Sequence, residues 1–257
     1  MCSNKIERER ILPFDRVYPR LFDEHLARYK LATHYVRGKR VLDLACGTGY
    51  GSHFMAVNDA AEVLGIDISK EAIDSCQSDY SAKNLSFARM DSTRLALNDE
   101  YFDAVCAFEI IEHIEKANQC LRESKRVLKE GGLLMISTPN KSFFSPNSET
   151  PSNPYHVREY YFEEFQSLLQ SHFEEIDLWG QGTKRMNKLI PRGIQTLLSC
   201  IKSSTLFRQL ILHKIESNYL LVGRNTFTKS HIKEHSVFFL GICNKNSSLL
   251  SPERNRA

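Results

Sequence analysis

The sequence has no long apolar run and no cysteine cluster, and both absences narrow the kinds of protein that it can encode. No stretch of the 257 residues approaches the ~20 continuous apolar residues that a membrane-spanning helix needs. The N-terminal stretch also lacks the apolar core of a secretory signal, so we expect a cytoplasmic protein. The seven cysteines are scattered and form no Cys-x-x-Cys pair, which argues against a zinc site and against a disulfide framework.

The composition is that of an ordinary globular protein, with 42% hydrophobic residues and a formal net charge of only +3. The charge is nevertheless unevenly distributed, because the segment 183–230 carries nine basic residues and one acidic residue. Its leucines and isoleucines recur at roughly helical spacing. We therefore predict a basic helical insertion over 183–232.

Short apolar runs alternate with helical patterns from residue 40 to about residue 180. The apolar runs predict strands at 40–45, 61–67, 84–89, 102–108, 132–138, 173–178 and 237–243. The helical patterns predict helices at about 50–58, 69–83, 115–130 and 160–171. Because parallel neighbours need crossover connections, this alternation predicts an α/β fold with a doubly wound sheet.

These elements divide the chain into five parts. We expect an N-terminal helical cap (1–38), a core (39–182), the basic helical insertion (183–232), a final core strand (233–245) and a disordered tail (246–257). Within the core, Pro139 should end the fifth strand. The segment 139–158, rich in Ser, Asn and Pro, should then form a long loop, which is either a substrate lid or a mobile connection.

A glycine-rich turn follows the first predicted strand, with the sequence Asp43-Leu44-Ala45-Cys46-Gly47-Thr48-Gly49-Tyr50-Gly51. Glycine lets the backbone turn sharply and approach a ligand without a Cβ in the way. The first strand-to-helix turn is also where open α/β sheets bind nucleotides. A Gly-x-Gly pair alone is common in such turns, so its meaning depends on what the neighbouring strands carry.

Suitable side chains follow the next three strands at the same edge of the sheet. Asp67 ends the second strand and could accept hydrogen bonds from both ribose hydroxyls, or could instead cap the next helix. Asp91 and Ser92 follow the third strand and suit an adenine amino group, or could simply form a turn. Phe108 and Glu109 follow the fourth. The coincidence predicts a nucleotide-type cofactor site at this edge.

Taken together, these motifs resemble class I S-adenosylmethionine-dependent methyltransferases. The resemblance covers about residues 25–180 and the final strand, and it lies in the runs 41–51, 65–69, 102–105, 109–113 and 128–132. It implies a Rossmann-like sheet of seven strands, parallel except for one antiparallel strand, with a helical insertion before the last strand. It also implies methyltransferase activity with S-adenosylmethionine as the cofactor.

The resemblance assigns roles to individual residues. Asp43 would orient the glycine turn and contact the methionine amino group, and Asp67 would hold the ribose with Ile68 packed on the adenine. Arg28 could bind the methionine carboxylate, although an arginine on an amphipathic helix is usually solvated. The implied cofactor-binding residues are Asp43, Ala45, Gly47, Gly49, Asp67, Ile68, Asp91, Ser92, Phe108 and Arg28.

A nicotinamide-dependent dehydrogenase is the main rival, because the same sheet serves both cofactors. The glycines here are spaced Gly-x-Gly-x-Gly rather than Gly-x-Gly-x-x-Gly, and Asp43 and Asp91 would have no evident function in a dehydrogenase. A non-catalytic subunit that only binds S-adenosylmethionine is a further alternative. The intact set of Asp43, Gly47, Gly49, Asp67 and Asp91 argues against it.

A hydroxyl acceptor must lose a proton, which calls for a general base. His113 is the candidate, with Glu109 beside it, because both follow the fourth strand near the expected methyl position. The alternative that His113 only caps or packs on its helix stays open. Asn140, His156 and Arg158 belong to the long loop, and they could either reach the acceptor or attach the loop to the core.

The run Glu109-x-x-Glu112-His113 also resembles the metal-binding run of methyltransferases that modify small-RNA 3′ ends. Those enzymes need a further histidine downstream, for which this sequence offers only His156 or His172. The same run is common in metal-free relatives of the ubiquinone-biosynthesis type. We therefore predict no metal, and keep metal-dependent RNA 3′-end methylation as an alternative.

Two longer strings, 24–41 and 137–160, resemble bacterial methyltransferases associated with cell-surface polysaccharide synthesis. This resemblance implies O-methylation of a sugar or glycan as acceptor, or methylation of a phosphate on a glycan. The basic insertion would then suit the anionic inner face of a membrane, where lipid-linked glycans are built. Nucleic acid is disfavoured because few aromatic residues accompany the charge. A helical lid or a dimer face is the remaining alternative for the insertion.

Overall fold

The computed structural model describes residues 19–183, 219–222, 225–229 and 236–245. The helices in these ranges are Pro19–Val36 (α1), Tyr50–Val57 (α2), Lys70–Asp79 (α3), Ala117–Val127 (α4), Lys141–Phe144 (α5) and Phe162–Gln170 (α6). The strands are Arg40–Leu44 (β1), Glu62–Asp67 (β2), Leu85–Arg89 (β3), Phe102–Phe108 (β4), Leu128–Pro139 (β5), Glu175–Thr183 (β6), Tyr219–Val222 (β7), Asn225–Thr228 (β8) and Phe238–Asn244 (β9). None of these described helices combines the length and the apolar content that crossing a bilayer requires.

The described strands form one sheet in the order β3-β2-β1-β4-β5-β9-β6-β8-β7. Strands β1 to β5 are parallel, and β9 lies antiparallel between β5 and β6. The predicted α/β fold, a doubly wound and mostly parallel sheet with an antiparallel strand, is therefore confirmed. Because the strand order reverses at β1 and β4, the carboxyl ends of these two strands flank a crevice, where such sheets bind ligands.

The strand count differs from the prediction, since the described sheet has nine strands rather than seven. Strands β7 and β8 fall inside 183–232, so the prediction of a helical insertion is wrong for 219–222 and 225–228. Strand β8 pairs with β6 and satisfies backbone groups that would otherwise form a sheet edge, and Phe227 within it is completely buried.

The remainder of the predicted insertion lies outside the described residues, as do residues 1–18 of the predicted cap and the predicted tail 246–257. The predicted membrane contact through 183–230 therefore stays a prediction.

The central strands are apolar on both faces because helices cover the sheet on both sides. Val41 and Met135 belong to a core cluster that includes the buried face of α1. Leu42 and Val105 point the other way, into a second cluster with residues of α4 and α6. Alternate side chains thus enter different cores, which explains why these strands appear in the sequence as nearly continuous apolar runs.

The helix before β5 is shorter than the sequence predicts. We expected it to continue to about residue 130 and to end at two glycines, but α4 ends at Val127. Leu128 instead pairs with Phe102 and is fully buried, so burial favours strand over helix there. The register then shifts, and a Cβ on Gly132 would lie 2.8 Å from the carbonyl oxygen of Lys129. The glycines therefore serve an irregular strand and not a helix end.

Candidate active site

The turn between β1 and α2 adopts left-handed backbone conformations at Ala45 (φ 56°), Gly47 (φ 56°) and Gly49 (φ 80°). The amide of Cys46 donates to the carbonyl of Ile66 at 2.8 Å, which fixes the turn against β2. A Cβ on Gly47 would meet nothing within 4 Å, whereas one on Gly49 would lie 2.7 Å from Cys76 Sγ. Gly47 therefore faces open space where a ligand fits, and Gly49 serves packing against α3.

Asp43 lies beneath this turn and is completely buried. Its carboxylate accepts hydrogen bonds from the hydroxyl of Ser52 at 2.6 Å and from that of Tyr29 at 3.2 Å. Burial raises the pKa of Asp43 to about 7, although these two hydrogen bonds oppose the shift. Asp43 therefore ties α1 and α2 to β1, and its predicted contact with the methionine amino group stays a prediction.

The raised pKa of Asp43 makes a prediction about stability. In the unfolded chain the carboxyl ionises near its ordinary value of 3.8, but in the folded protein it keeps its proton up to about pH 7. The unfolded state therefore loses its proton first, and Asp43 costs stability increasingly as the pH rises through this window. We expect Asp43→Asn, which cannot ionise, to become more stable relative to wild type between pH 4 and pH 7. Urea unfolding of both proteins across this range measures the difference, and a constant difference would contradict the assignment.

Asp67, at the end of β2, is held by two backbone amides. Its carboxylate accepts from Gly47 N at 3.1 Å and from Ser69 N at 2.9 Å. The cap of α3 comes instead from Ser69, whose hydroxyl accepts from Ala72 N. Asp67 also lines the cavity, where a carboxylate oxygen can accept hydrogen bonds from a ligand. The neighbouring Ile68 is 64% exposed. Its apolar surface is therefore available to pack against a flat ring.

Asp91 follows β3 and forms a turn, which was the alternative to a ligand role. One of its oxygens accepts from both the amide and the hydroxyl of Thr93 at 2.8 Å, which forms a turn. The turn does not conflict with a ligand role, because the cavity wall includes Asp91, Ser92 and the neighbouring Met90.

Glu109 follows β4 with a left-handed backbone (φ 55°), which is uncommon for a residue with a side chain. The Ser137 hydroxyl donates to its carboxylate at 2.6 Å, and Arg28 lies 3.7 Å from the same oxygen. The strained conformation directs the side chain of Glu109 into this pair of contacts. Observed backbone strain of this kind is concentrated at functional sites.

Arg28 is fully buried, so the alternative of a solvated arginine on α1 is wrong. It donates to Gln181 Oε1 at 2.6 Å and lies over the Phe238 ring at 4.6 Å. Within the described part of the chain, its Nε and second terminal nitrogen have no hydrogen-bond partner. Arg28 does not line the cavity itself, but it supports Glu109 and Phe238, which do.

Glu112 and His113 lie on a short 3₁₀ turn (Ile111–His113) after β4, and both line the cavity of the site. His113 Nδ1 lies 3.1 Å from the carbonyl oxygen of Tyr155. Because a carbonyl can only accept, Nδ1 carries the proton and Nε2 the lone pair. Glu112 is buried beside it, and this burial, together with the nearby Glu109, raises the pKa of Glu112 well above its ordinary value.

The segment 153–159 packs against this turn. The amides of Val157 and Arg158 donate to the carbonyl of Glu112 at 2.8 and 3.1 Å. The His156 ring packs edge-on against His113, with centroids 4.9 Å apart. Its Nδ1 lies 2.9 Å from the carboxylate of Glu159, whose side chain is completely buried. The end of the long loop is therefore fixed to the core, and it brings His156 to the site.

The other two predicted acceptor residues lie elsewhere. Asn140 is buried, where its side chain caps α5 by accepting from Ser142 N and donates to the carbonyl of Ser236. Arg158 points away, pairing with Glu164 at 2.8 Å. Asn140 and Arg158 therefore attach the loop 139–158 to the rest of the protein, which was the alternative to contact with the acceptor.

One cavity of about 950 Å³ joins these groups. Ten predicted site residues line it: Ala45, Gly47, Asp67, Ile68, Asp91, Ser92, Phe108, Glu109, His113 and His156. Five do not: Arg28, Asp43, Gly49, Asn140 and Arg158. Sequence reasoning assigned no role to the supporting residues Tyr29, Ser52, Ser137, Glu159 and Gln181, although three of them lie in the strings 24–41 and 137–160. A volume in this range suits a cofactor and a small acceptor together.

A sequence-family profile described as "Methyltransferase domain" matches residues 36–188, more than half of the chain. The chain belongs to this methyltransferase domain family. The cofactor of the site is accordingly S-adenosylmethionine, and the cavity fits it. A buried carboxylate (Asp67), an exposed apolar side chain (Ile68) and a glycine facing open space (Gly47) line one wall.

Curated relatives of the family carry similar names. The chain is 33% identical over 156 residues to a "Probable S-adenosylmethionine-dependent methyltransferase" of Mycolicibacterium smegmatis, covering 61% of this chain and 60% of that protein. It is 35% identical over 161 residues to one of Mycobacterium tuberculosis, covering 63% and 58%. A mitochondrial ubiquinone biosynthesis O-methyltransferase of Dictyostelium discoideum is 33% identical over 122 residues, covering 43% and 38%. The chain thus spans about three fifths of the length of the two mycobacterial relatives.

Solved structures with low sequence identity share the fold. A possible histamine N-methyltransferase of Thermotoga maritima aligns with a TM-score of 0.60 at 18% identity, covering 90% of this chain and 95% of that one. An S-adenosylmethionine-dependent methyltransferase of Mesorhizobium loti aligns with a TM-score of 0.53 at 16% identity, covering 86% and 99%.

Proposed function

We propose that the chain transfers a methyl group from S-adenosylmethionine to a hydroxyl of a sugar, a glycan or a related small molecule. The observation that carries the proposal is the position of His113. His113 lines the same cavity as Glu109 and as the glycine turn that holds the cofactor residues. A site for the donor and a group that activates the acceptor therefore share one cavity.

The cofactor end is built from the turn and the two strands beside it. Asp67 would accept hydrogen bonds from the ribose hydroxyls, Ile68 would pack on the adenine, and Asp91 with Ser92 would meet the adenine edge. Gly47 leaves room for the methionine portion. When bound, S-adenosylmethionine supplies an electrophilic methyl group on its sulfonium centre. The protein's own contribution is then to align the acceptor oxygen with the methyl group.

His113 supplies the base in this proposal. The acceptor's O–H bond breaks, its proton moves to Nε2, and the oxygen keeps the electron pair with which it attacks the methyl carbon. The imidazolium so formed is held by the Tyr155 carbonyl on one side, and Glu112 Oε1 lies 3.9 Å from Nε2 on the other. Glu109 is engaged by Ser137 and Arg28, so we assign it to orienting the methionine end and not to proton transfer.

The lining around His113 supports a hydroxyl-rich acceptor. The cavity lining includes the polar residues Ser152, Asn153 and Lys116 and the aromatic residue Phe144. Sugars are commonly bound through such a mixture of hydrogen bonds and ring contacts, which agrees with the resemblance of the runs 24–41 and 137–160 to polysaccharide-associated enzymes.

Replacing His113 with alanine tests the base. We expect His113→Ala to lower kcat by about 100-fold or more, since a positioned general base contributes roughly that much. The affinity for S-adenosylmethionine should stay unchanged, because His113 lies at the acceptor end. His172→Ala is the matched control, because that histidine does not line the cavity and bonds to Asn118. Equal loss of kcat in both variants, or none in either, would contradict the role of His113.

A further inference from the structure

Three potential metal ligands meet at the acceptor end of the cavity. One ligand atom from each of Glu112, His113 and His156 lies within 4.8 Å of the other two. The sequence predicts no metal, and it does not show which downstream histidine returns to the run 109–113. In the structure His156 packs against His113, whereas His172 bonds to Asn118 on the surface.

Both histidines are oriented as metal-binding histidines usually are. The Nδ1 of His113 donates to a backbone carbonyl, and the Nδ1 of His156 donates to the buried carboxylate of Glu159. Such outer contacts fix the tautomer and leave Nε2 as the nitrogen that carries the lone pair. On His156, Nε2 accepts from the Asn153 side-chain amide at 2.9 Å, a contact that a metal ion would replace.

Glu112 provides an independent observation. Its side chain is completely buried, and Oε2 accepts from the Thr138 hydroxyl at 3.1 Å. Its Oε1 has no hydrogen-bond partner in the described part of the chain, and it lies 3.9 Å from His113 Nε2. Buried polar atoms are almost always satisfied, and an ion is one explanation for an exception. The orphaned oxygen lies beside the histidine nitrogen with which it would share the ion.

We propose that Glu112, His113 and His156 bind one divalent transition-metal ion, with Zn²⁺ as the representative. Two imidazoles and one carboxylate form a ligand set that suits such ions and that leaves a coordination position open toward the cavity. Mg²⁺ prefers oxygen ligands and should bind weakly.

This inference rests on the proposed function, and it refines the role of His113. An acceptor hydroxyl bound at the open position would have a lowered pKa and would release its proton to water through the open cavity. His113 would then act as a ligand, and the ion would take over the task of activating the oxygen.

The test is calorimetric titration of the metal-stripped chain with Zn²⁺ and, separately, with Mg²⁺. We expect one Zn²⁺ per chain, bound much more tightly than Mg²⁺. Glu112→Gln and His156→Ala should each weaken Zn²⁺ binding by about 100-fold or more, and Glu159→Gln by roughly 10-fold to 100-fold through the orientation of His156. His172→Ala should bind as wild type does.

Two results would overturn the metal site: no Zn²⁺ binding by wild type, or binding that Glu112→Gln leaves unchanged. Glu112→Gln preserves the shape of the side chain, so it tests the metal site even if circular dichroism shows that His156→Ala is unfolded. Methyl transfer that depends on His113 but proceeds without bound metal removes the metal site and keeps the proposed function. Zn²⁺ bound at these residues without methyl transfer to any hydroxyl removes the proposed function and keeps the site.

Discussion

Replacing Asp67 with alanine should weaken S-adenosylmethionine binding by about 100-fold. A hydrogen bond to a charged group contributes about 1.5–3 kcal/mol, so losing two to the ribose hydroxyls removes about 3 kcal/mol or more. Each 1.4 kcal/mol corresponds to about a tenfold change in Kd. The same substitution removes the acceptor for the amide of Gly47, which loosens the glycine turn beside Asp67. Calorimetric titration with S-adenosylmethionine measures the change.

Two control variants separate a cofactor role of Asp67 from a capping role. Ser69→Ala removes the side-chain cap of α3 without touching the carboxylate, so it should lower stability slightly and leave the Kd unchanged. Asp67→Asn keeps one acceptor oxygen and should weaken binding less than alanine does. A Kd for Asp67→Ala within about threefold of wild type would mean that the ribose is bound elsewhere.

The second large effect is on stability, at Gly51 in the first turn of α2. A Cβ on Gly51 would lie 2.0 Å from Tyr29 Cζ, and the same ring donates through its hydroxyl to the buried Asp43. Neither can move without breaking the contact between α1 and α2. Overpacking of this kind costs about 3 kcal/mol. We therefore expect Gly51→Ala to lower the Tm by roughly 6–12 °C.

A double variant tests whether the Tyr29 ring is the cause. In a Tyr29→Ala background the space above Gly51 is open, and alanine is the better helix former by about 1 kcal/mol. Gly51→Ala should then be neutral or stabilising, so the sign of its effect should reverse. If Gly51→Ala costs the same in both backgrounds, the contact with Tyr29 does not explain the glycine.

The cofactor half of the site could be predicted from sequence because it is built from local rules. Central strands that are buried on both faces have nearly continuous apolar sequences, which makes them recognisable. Because these strands are parallel, their carboxyl ends lie at one edge of the sheet. Residues directly after those strands, such as Asp67 and Asp91, must then lie near one another. The positions of the strands were therefore sufficient to predict that these residues are neighbours. No contact between distant side chains had to be known.

The acceptor half could not be predicted in the same way, because its contacts join distant segments. The buried Arg28 is held by Gln181, which lies on β6, 153 positions later in the chain. His156 reaches His113 because the amides of 157 and 158 bind the Glu112 carbonyl, a pairing that no motif encodes. The helical prediction also failed at β7 and β8, because helical spacing within 197–211 was extended to the whole of 183–232.

The most direct test of the central claim is methyl transfer from labelled S-adenosylmethionine to a panel of nucleotide-sugars, lipid-linked glycans and RNA. The account predicts that label enters a sugar or glycan as an O-methyl group, identified by mass spectrometry and nuclear magnetic resonance. It also predicts that His113→Ala loses this transfer while His172→Ala retains it. Label that enters RNA alone, or no consumption of S-adenosylmethionine with any acceptor, would contradict the account.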